Sequence, residues 1–163
     1  MSKVYFPRLI IPLSTIGPAL LDLLVATVVL LVMMAWYAIP FSTNLLAVPL
    51  LLLFTALGAV GVGTLLSALT VTYRDFTHIT PFLMQIWMYA TPIVFPQSLV
   101  PVHWQWVLGL NPLAGLIEGF RSAFLARPLD TMAITQSALL CTALFVLGIL
   151  YFEKAERRFA DVI

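Results

Sequence analysis

Hydrophobic and polar positions alternate on the scale of whole helices in this chain. No Asp, Glu, Lys or Arg occurs from Leu23 to Tyr73; Arg74 and Asp75 then stand side by side between two aromatics, and charge returns only at Glu118. A helix needs about 20 residues to cross roughly 30 Å of hydrocarbon, so the apolar runs resolve into spans by length. The pattern predicts spans at about 13–39, 45–70, 79–94 and 132–152. Pro40 and the polar turn Ser42-Thr43-Asn44 close the first, Pro49 sits in the first turns of the second, Pro92 interrupts the short third, and Glu153-Lys154 ends the fourth. Proline is tolerated early in a helix, where its missing N–H has no intrahelical partner.

Between the third and fourth spans lies an irregular region, 96–130, with apolar stretches Leu99–Leu110 and Leu113–Leu125 on either side of Asn111-Pro112. Each stretch is too short to cross and has the length of a re-entrant or interfacial segment. Asn111 followed by Pro112 reads as an N-cap with proline at the first helical position. Glu118 and Arg121 then share a helix face, three residues apart. The expected fold is an all-α membrane protein: four transmembrane helices plus two short re-entrant or interfacial helices that dip into the outer leaflet and turn back. Backbone broken at membrane depth has to be buried in protein or line a wet cavity.

Composition agrees with this class. Hydrophobic residues make up 62% of the 163 and charged residues 9%, and the mean hydropathy is +1.06, whereas a soluble domain carries about 25% charged residues. With four spans, Lys3, Arg8, Arg74, Lys154, Arg157 and Arg158 fall on one side and Arg121 and Arg127 on the other. Six against two satisfies the positive-inside rule and puts both termini in the cytoplasm. A third run that failed to cross would leave five against three, with the basic tail outside. Tyr73-Arg74-Asp75-Phe76 is then a tight cytoplasmic turn whose aromatics add a gripping surface. The first run is too long, and holds Asp22, for a cleavable signal peptide.

Candidate chemistry is sparse. No G-x-x-x-x-G-K-[ST] loop is present, and the lysines, Lys3 and Lys154, lie far from any glycine-rich turn, so ATP hydrolysis by that route is excluded. His78 and His103 fall on opposite sides with no ligand partners at metal spacing, so no metal site is expected. No serine occupies a nucleophile elbow. The lone Cys141 is read as a small buried hydrophobe. The chain reads as a conduit or scaffold, not an enzyme.

Three segments carry a family resemblance: "KVYFPRLIIPLS" at 3–14, "YRDFTHITPFLMQIWMYATPIVFP" at 73–96 and "NPLAGLIEGFRSAFL" at 111–125. In this order and spacing they resemble an ABC-2 type transporter permease, within it the branch that exports O-antigen, teichoic acid and capsule-type glycans. Such permeases ordinarily have six spans, so the resemblance implies the C-terminal two-thirds of one, either a fragment or a truncated gene product. It also implies a multi-pass location in the bacterial plasma membrane and a homodimer with a second permease copy. Two separate ABC ATPase subunits would carry ATP and Mg, with no cofactor on this chain. Membrane lipid and a glycan or lipid-linked glycan are the remaining partners, and no nucleic acid is implied. By resemblance Val4, Tyr5, Phe6, Pro7 and Arg8 close a coupling segment, and Tyr73, Arg74, Asp75 and Phe76 form a second ATPase contact. The plain alternative for Arg74 and Asp75 is a solvated turn.

Other candidates are weighed the same way. Asp22 is an intramembrane carboxylate, and the structural reading is favoured over the functional one. Gly58, Ala59, Gly61, Gly63 and Ser67 give the second span a small-residue packing surface. Trp87 and Tyr89, two apart, cannot share a face; one of them is a candidate to line a glycan pathway, against an interfacial aromatic belt. Trp104 and Trp106 read as outer anchors. Asn111, Pro112, Glu118 and Arg121 belong by resemblance to an outer gate, against an ordinary surface pair for the last two. Two further functions stay open: an ABC-2 permease for a drug or lipid, and a membrane-embedded enzyme acting on lipid-linked sugar.

Overall fold

The computed structural model describes residues 16–73 and 75–160. Their regular structure is entirely helical. The chain divides into two units, Met1–Pro40 and Phe41–Ile163.

The first unit contains α1, Ile16–Trp36, 21 residues long. It ends because Ala38 turns left-handed at φ 53°, which lets Ile39 N–H donate to the Met34 carbonyl at 3.0 Å. Pro40 follows and cannot continue a helix. Asp22 is exposed on α1.

The second unit is built on two long helices. A 3-10 turn at Thr43–Ala47 leads into α2, Val48–Thr72. The chain closes with α6, Thr131–Ala160, begun by Asp130, whose carboxylate accepts from the Met132 and Ala133 N–H groups at 3.1 Å. Thr43–Thr72 and Thr131–Ala155 are long and apolar enough to cross a membrane, and Leu21–Trp36 is a shorter apolar helix. Together with the composition, these make the chain a membrane protein.

Glycine explains how closely α2 and α6 approach. A Cβ on Gly61 would stand 2.5 Å from Phe145 N, and one on Gly58 would stand 2.8 Å from Cys141 Sγ. Gly148 returns the contact against the Gly61 carbonyl and Thr64 Oγ1. Lipid offers no hydrophobic drive for helix pairing, so close backbone contact of this kind is what holds such helices together. Threonine hydroxyls in α2 are satisfied locally, Thr55 on the Leu51 carbonyl and Thr64 on that of Val60.

The register of these contacts fixes direction. Position 58 faces 141, 61 faces 145, and 64 faces 148. The numbers rise together, so α2 and α6 run parallel, and everything between them must carry the chain back along their length.

That return is made by α3, Phe76–Ala90, by two 3-10 turns at Gln97–Leu99 and Val102–Trp104, and by α4, Gln105–Gly109, and α5, Ala114–Phe124. The span expected over 79–94 is this helix displaced toward the charged turn. It stops at Ala90 because proline pushes the preceding residue out of the α region, and Thr91 sits extended at ψ 134° before Pro92. Pro81 is accommodated inside α3. The helix expected over 99–110 is broken into the two 3-10 turns and α4, with Pro101 at the break.

The segment from α4 to α5 forms a hairpin against α6. Gly109 lies by Gln136, Pro112 by Cys141, Gly115 by Ala133 and Ser137, and Gly119 by Ile134. The chain thus descends along α6, turns at Asn111-Pro112, and climbs back. The tip, at Cys141, lies about 15 Å along α6 from Thr131 at 1.5 Å per residue. Leu51, Leu116 and Cys141 form the buried core, with Phe54, Leu113, Phe120 and Ile134 packed against it. Asn44 Nδ2 donates to the Arg127 carbonyl at 2.7 Å, which ties the end of the hairpin to the entry of α2. At that end Ala126 is left-handed, φ 53°, and Arg127 N–H returns to the Ser122 carbonyl before Pro128.

Candidate functional site

Most of the described candidates in the second unit gather where the C-terminal end of α3 meets the hairpin tip. Asn111 is the hub. Its Oδ1 accepts from Trp87 Nε1 at 3.2 Å and from Leu113 N–H at 3.1 Å, and its Nδ2 donates to Thr91 Oγ1 at 2.9 Å. Thr91, only 2% exposed, donates onward to the Trp87 carbonyl at 2.7 Å. Asn111 does not cap α5 as the sequence suggests, and Pro112 is not its first residue: the helix starts at Ala114 with Leu113 as its N-cap. The physical reason is competition. The side chain is committed to two residues of α3's last turns as well as to its own i+2 N–H, which holds the tip as a turn.

A second tie lies further along α5. Arg121 Nη1 donates to Glu118 Oε2 at 2.7 Å, with both side chains about one-quarter exposed or less (20% and 25%). Arg121 Nη2 donates to the carbonyls of Pro92 and Ile93, both at 3.3 Å. These carbonyls just beyond α3 find no helical donor, and a cation beside a helix C-terminus is favourable. Glu118 therefore orients an arginine whose other nitrogen grips α3, and the pair is more than an i,i+3 surface contact.

Pro112 and Cys141 complete the tip. Cys141, 0% exposed, donates its thiol to the Pro112 carbonyl at 3.4 Å. Among the described residues no group of His, Cys, Asp and Glu has the arrangement to hold a metal.

The opposite end of α3 is the charged turn. Phe76 N–H donates to the Tyr73 carbonyl at 3.0 Å, and the Tyr73 and Phe76 rings stack at 6.2 Å, tilted 41°. The two aromatics thus form one pair, with Tyr73 exposed and Phe76 half-buried. Asp75 is exposed beside them. Arg74 lies outside the described residues, as do Val4, Tyr5, Phe6, Pro7 and Arg8.

Between its ends α3 is lightly held. An apolar cavity of about 330 Å³ separates it from α2, lined by Ala59, Val62 and Gly63 on one side and Met84, Trp87 and Met88 on the other. Trp87 is turned inward to Asn111, whereas Tyr89 is 66% exposed, so the two rings occupy different environments, as their spacing requires. Gly63 faces open space, unlike Gly58 and Gly61.

Comparison with known proteins places this geometry. The family model described as "ABC-2 type transporter" matches residues 1–125. The chain belongs to the ABC-2 type transporter family. The match runs from the N-terminus to the C-cap of α5, so it includes α3, both ties and the hairpin.

Relatives of this ABC-2 chain include two proteins of Klebsiella pneumoniae named "O-antigen export system permease protein RfbA", 27% and 26% identical, and one of the same name from Myxococcus xanthus, 26% identical. Each alignment covers 100% of this chain and 63–64% of the relative, so the chain spans less than two-thirds of their length.

Sequence reasoning missed Thr91, Gly115, Gly148 and Asp130. Thr91 was marked only by the proline after it. Gly115 and Gly148 stand inside helices, where an isolated glycine calls for a packing reason; Gly115 abuts the Ala133 carbonyl and accepts no Cβ there. Asp130 has the residue type and position of a helix N-cap.

Proposed function

We propose that this chain is the membrane-spanning body of a permease subunit in an ATP-driven exporter, and that it moves polysaccharide or lipid-linked polysaccharide outward across the bacterial plasma membrane. The O-antigen export role in the relatives' names supports the cargo class. Family membership supports a separate ABC ATPase, carrying ATP and Mg, as the source of work, and a second permease copy completes the pathway.

The observation that carries the topology is the parallel register of α2 and α6. Two parallel spans require a crossing between them, and α3 is the element available. Its 15 residues cover about 22 Å, less than a full hydrocarbon layer; the bilayer accommodates the mismatch by thinning or the short helix ends inside protein. With α1, four spans result, in keeping with the distribution of lysine and arginine. Residues 73–76 and both chain ends are cytoplasmic, and 96–130 is a re-entrant outer hairpin whose broken backbone at Asn111 is satisfied by protein.

The mechanism follows from unequal packing. α2 and α6, locked through glycine, are the frame. α3 is the lever: its cytoplasmic end carries Tyr73–Phe76, the proposed ATPase contact together with Val4–Arg8, and its outer end is tied to the hairpin by Asn111 and Arg121. ATPase closure displaces the turn, α3 moves across the apolar cavity, and the hairpin at the exit is pulled with it. Trp87 then acts inside this linkage, and Tyr89 remains the ring available to a glycan pathway.

Reconstitution of the full-length permease with its ATPase in vesicles tests this reading. Glycan-dependent ATP hydrolysis and ATP-dependent glycan movement are expected. Hydrolysis stimulated by a drug or lipid, with none by glycan, contradicts the cargo assignment. Arg74→Ala combined with Asp75→Ala is expected to weaken ATPase association while leaving the spans folded; undiminished co-purification contradicts the docking role.

A further inference from the structure

A second cavity, about 290 Å³, opens between α4, the start of α5 and the first turns of α6, and three glutamines line it. Their orientation is fixed by chemistry. Gln97 Nε2 donates to the Ala114 carbonyl at 3.1 Å, Gln136 Nε2 to that of Gly109 at 3.0 Å, and Gln105 Nε2 to that of Val100 at 3.4 Å. A carbonyl accepts only from the nitrogen end of an amide, so each glutamine keeps its oxygen as an acceptor. None of these three oxygens receives a hydrogen bond from a described residue. Ser137 Oγ, in the same lining, accepts from Gly115 N–H at 3.0 Å and retains its own proton to donate. Leu108 and Ala133 supply apolar wall, and no lining residue is charged.

Such a cavity is neutral and offers three amide oxygens as acceptors, with the Ser137 hydroxyl and the second N–H of each glutamine amide as donors. It suits a ligand that brings several O–H donors and an apolar C–H face. It disfavours an anion, which would lose water to meet carbonyl dipoles with no cation present. Its volume lies near the lower end of small-molecule sites, room for one ring.

We propose that this cavity is a subsite for a single uncharged sugar ring, held at the outer mouth of the chain by the amide oxygens of Gln97, Gln105 and Gln136. The assignment rests on the export reading for its orientation in the membrane and for the source of the sugar.

The test is saturation-transfer NMR on the full-length permease in detergent, with methyl glycosides of glucose, galactose and mannose as neutral probes. Methyl glucuronide serves as the anionic probe and ethanolamine as a lipid-headgroup probe. Gln105→Ala is the principal variant, because that side chain is exposed and makes the longest of the three internal bonds. At least one neutral glycoside is expected to bind, and to bind about fivefold more weakly in Gln105→Ala, the worth of one neutral hydrogen bond. Gln136→Leu is expected to lose more, with thermal unfolding followed alongside. No neutral glycoside binding overturns the subsite. So does equal binding in wild type and Gln105→Ala, or preference for glucuronide or ethanolamine. Vesicle transport is measured in parallel: glycan export without glycoside binding removes the subsite alone, whereas amide-dependent glycoside binding without export upholds the subsite and removes the export reading.

Discussion

The α2–α6 pair and α3 are held by different means. α2 and α6 approach closely through Gly58, Gly61 and Gly148, touching backbone to backbone at Gly61 and Gly148. α3 stands off from α2 across a cavity and is secured by side-chain hydrogen bonds at its C-terminal end, from Asn111 and Arg121. Dispersion between close backbones acts over a whole interface and resists sliding. A few directional bonds at one end leave the remainder of a helix able to swing. Rigidity here follows how contacts are distributed.

The sharpest way to break that contrast is Gly61→Leu. Even a Cβ would stand 2.5 Å from Phe145 N, so the helices must separate. A loss of more than about 3 kcal/mol is expected, read as loss of monodisperse protein on size-exclusion chromatography. Gly63→Leu, with nothing within 4 Å of its Cβ, should leave the yield near wild type. Equal damage at both positions would contradict the difference between the two faces of α2.

Asn111→Leu comes next. It orphans Trp87 Nε1 and the Leu113 N–H, at a cost of about 1–3 kcal/mol for each group left unpaired. Hydrogen exchange should quicken over 85–92 while α2 and α6 stay protected. Uniform loosening of the whole unit would show that α3 is not separately held.

Charge reversal of the pair, Glu118→Arg with Arg121→Glu, sharpens the same point with a smaller effect, about 1–2 kcal/mol. If pairing alone mattered, the swap would restore function. Because Arg121 also donates to the Pro92 and Ile93 carbonyls, a glutamate there faces acceptors, and export should stay impaired at normal abundance. The smallest expected change is Ala126→Gly, which removes the cost of a left-handed alanine and should stabilise by about 0.5–1 kcal/mol, measured as a rise in Tm.

Much of this architecture was legible in the sequence, unevenly. The long runs of α2 and α6 announce themselves by length, and of the small residues of α2 Gly58 and Gly61 mark its packing face whereas Ala59 and Gly63 are exposed. α3 was legible as a short apolar run, but hydrophobicity placed it at 79–94, since Ile93 and Val94 look helical to any scale. The restriction that Pro92 puts on Thr91 ended it earlier. The ties of Asn111 to Trp87 and Thr91 join residues 24 and 20 positions apart, and no local pattern encodes them. Glu118 and Arg121 were visible as a pair because helical spacing is local, whereas the carbonyls Arg121 also serves lie 28 and 29 positions away and left no trace.

Everything asked of α3 depends on its crossing between two parallel spans. In a Cys141→Ala background, single cysteines at Thr77 and Val102, both exposed, can be labelled with a membrane-impermeant maleimide in intact cells and in inverted vesicles. Residue 102 should react only from outside the cell and residue 77 only in inverted vesicles. Labelling of both from the same side would contradict the crossing, and with it the lever.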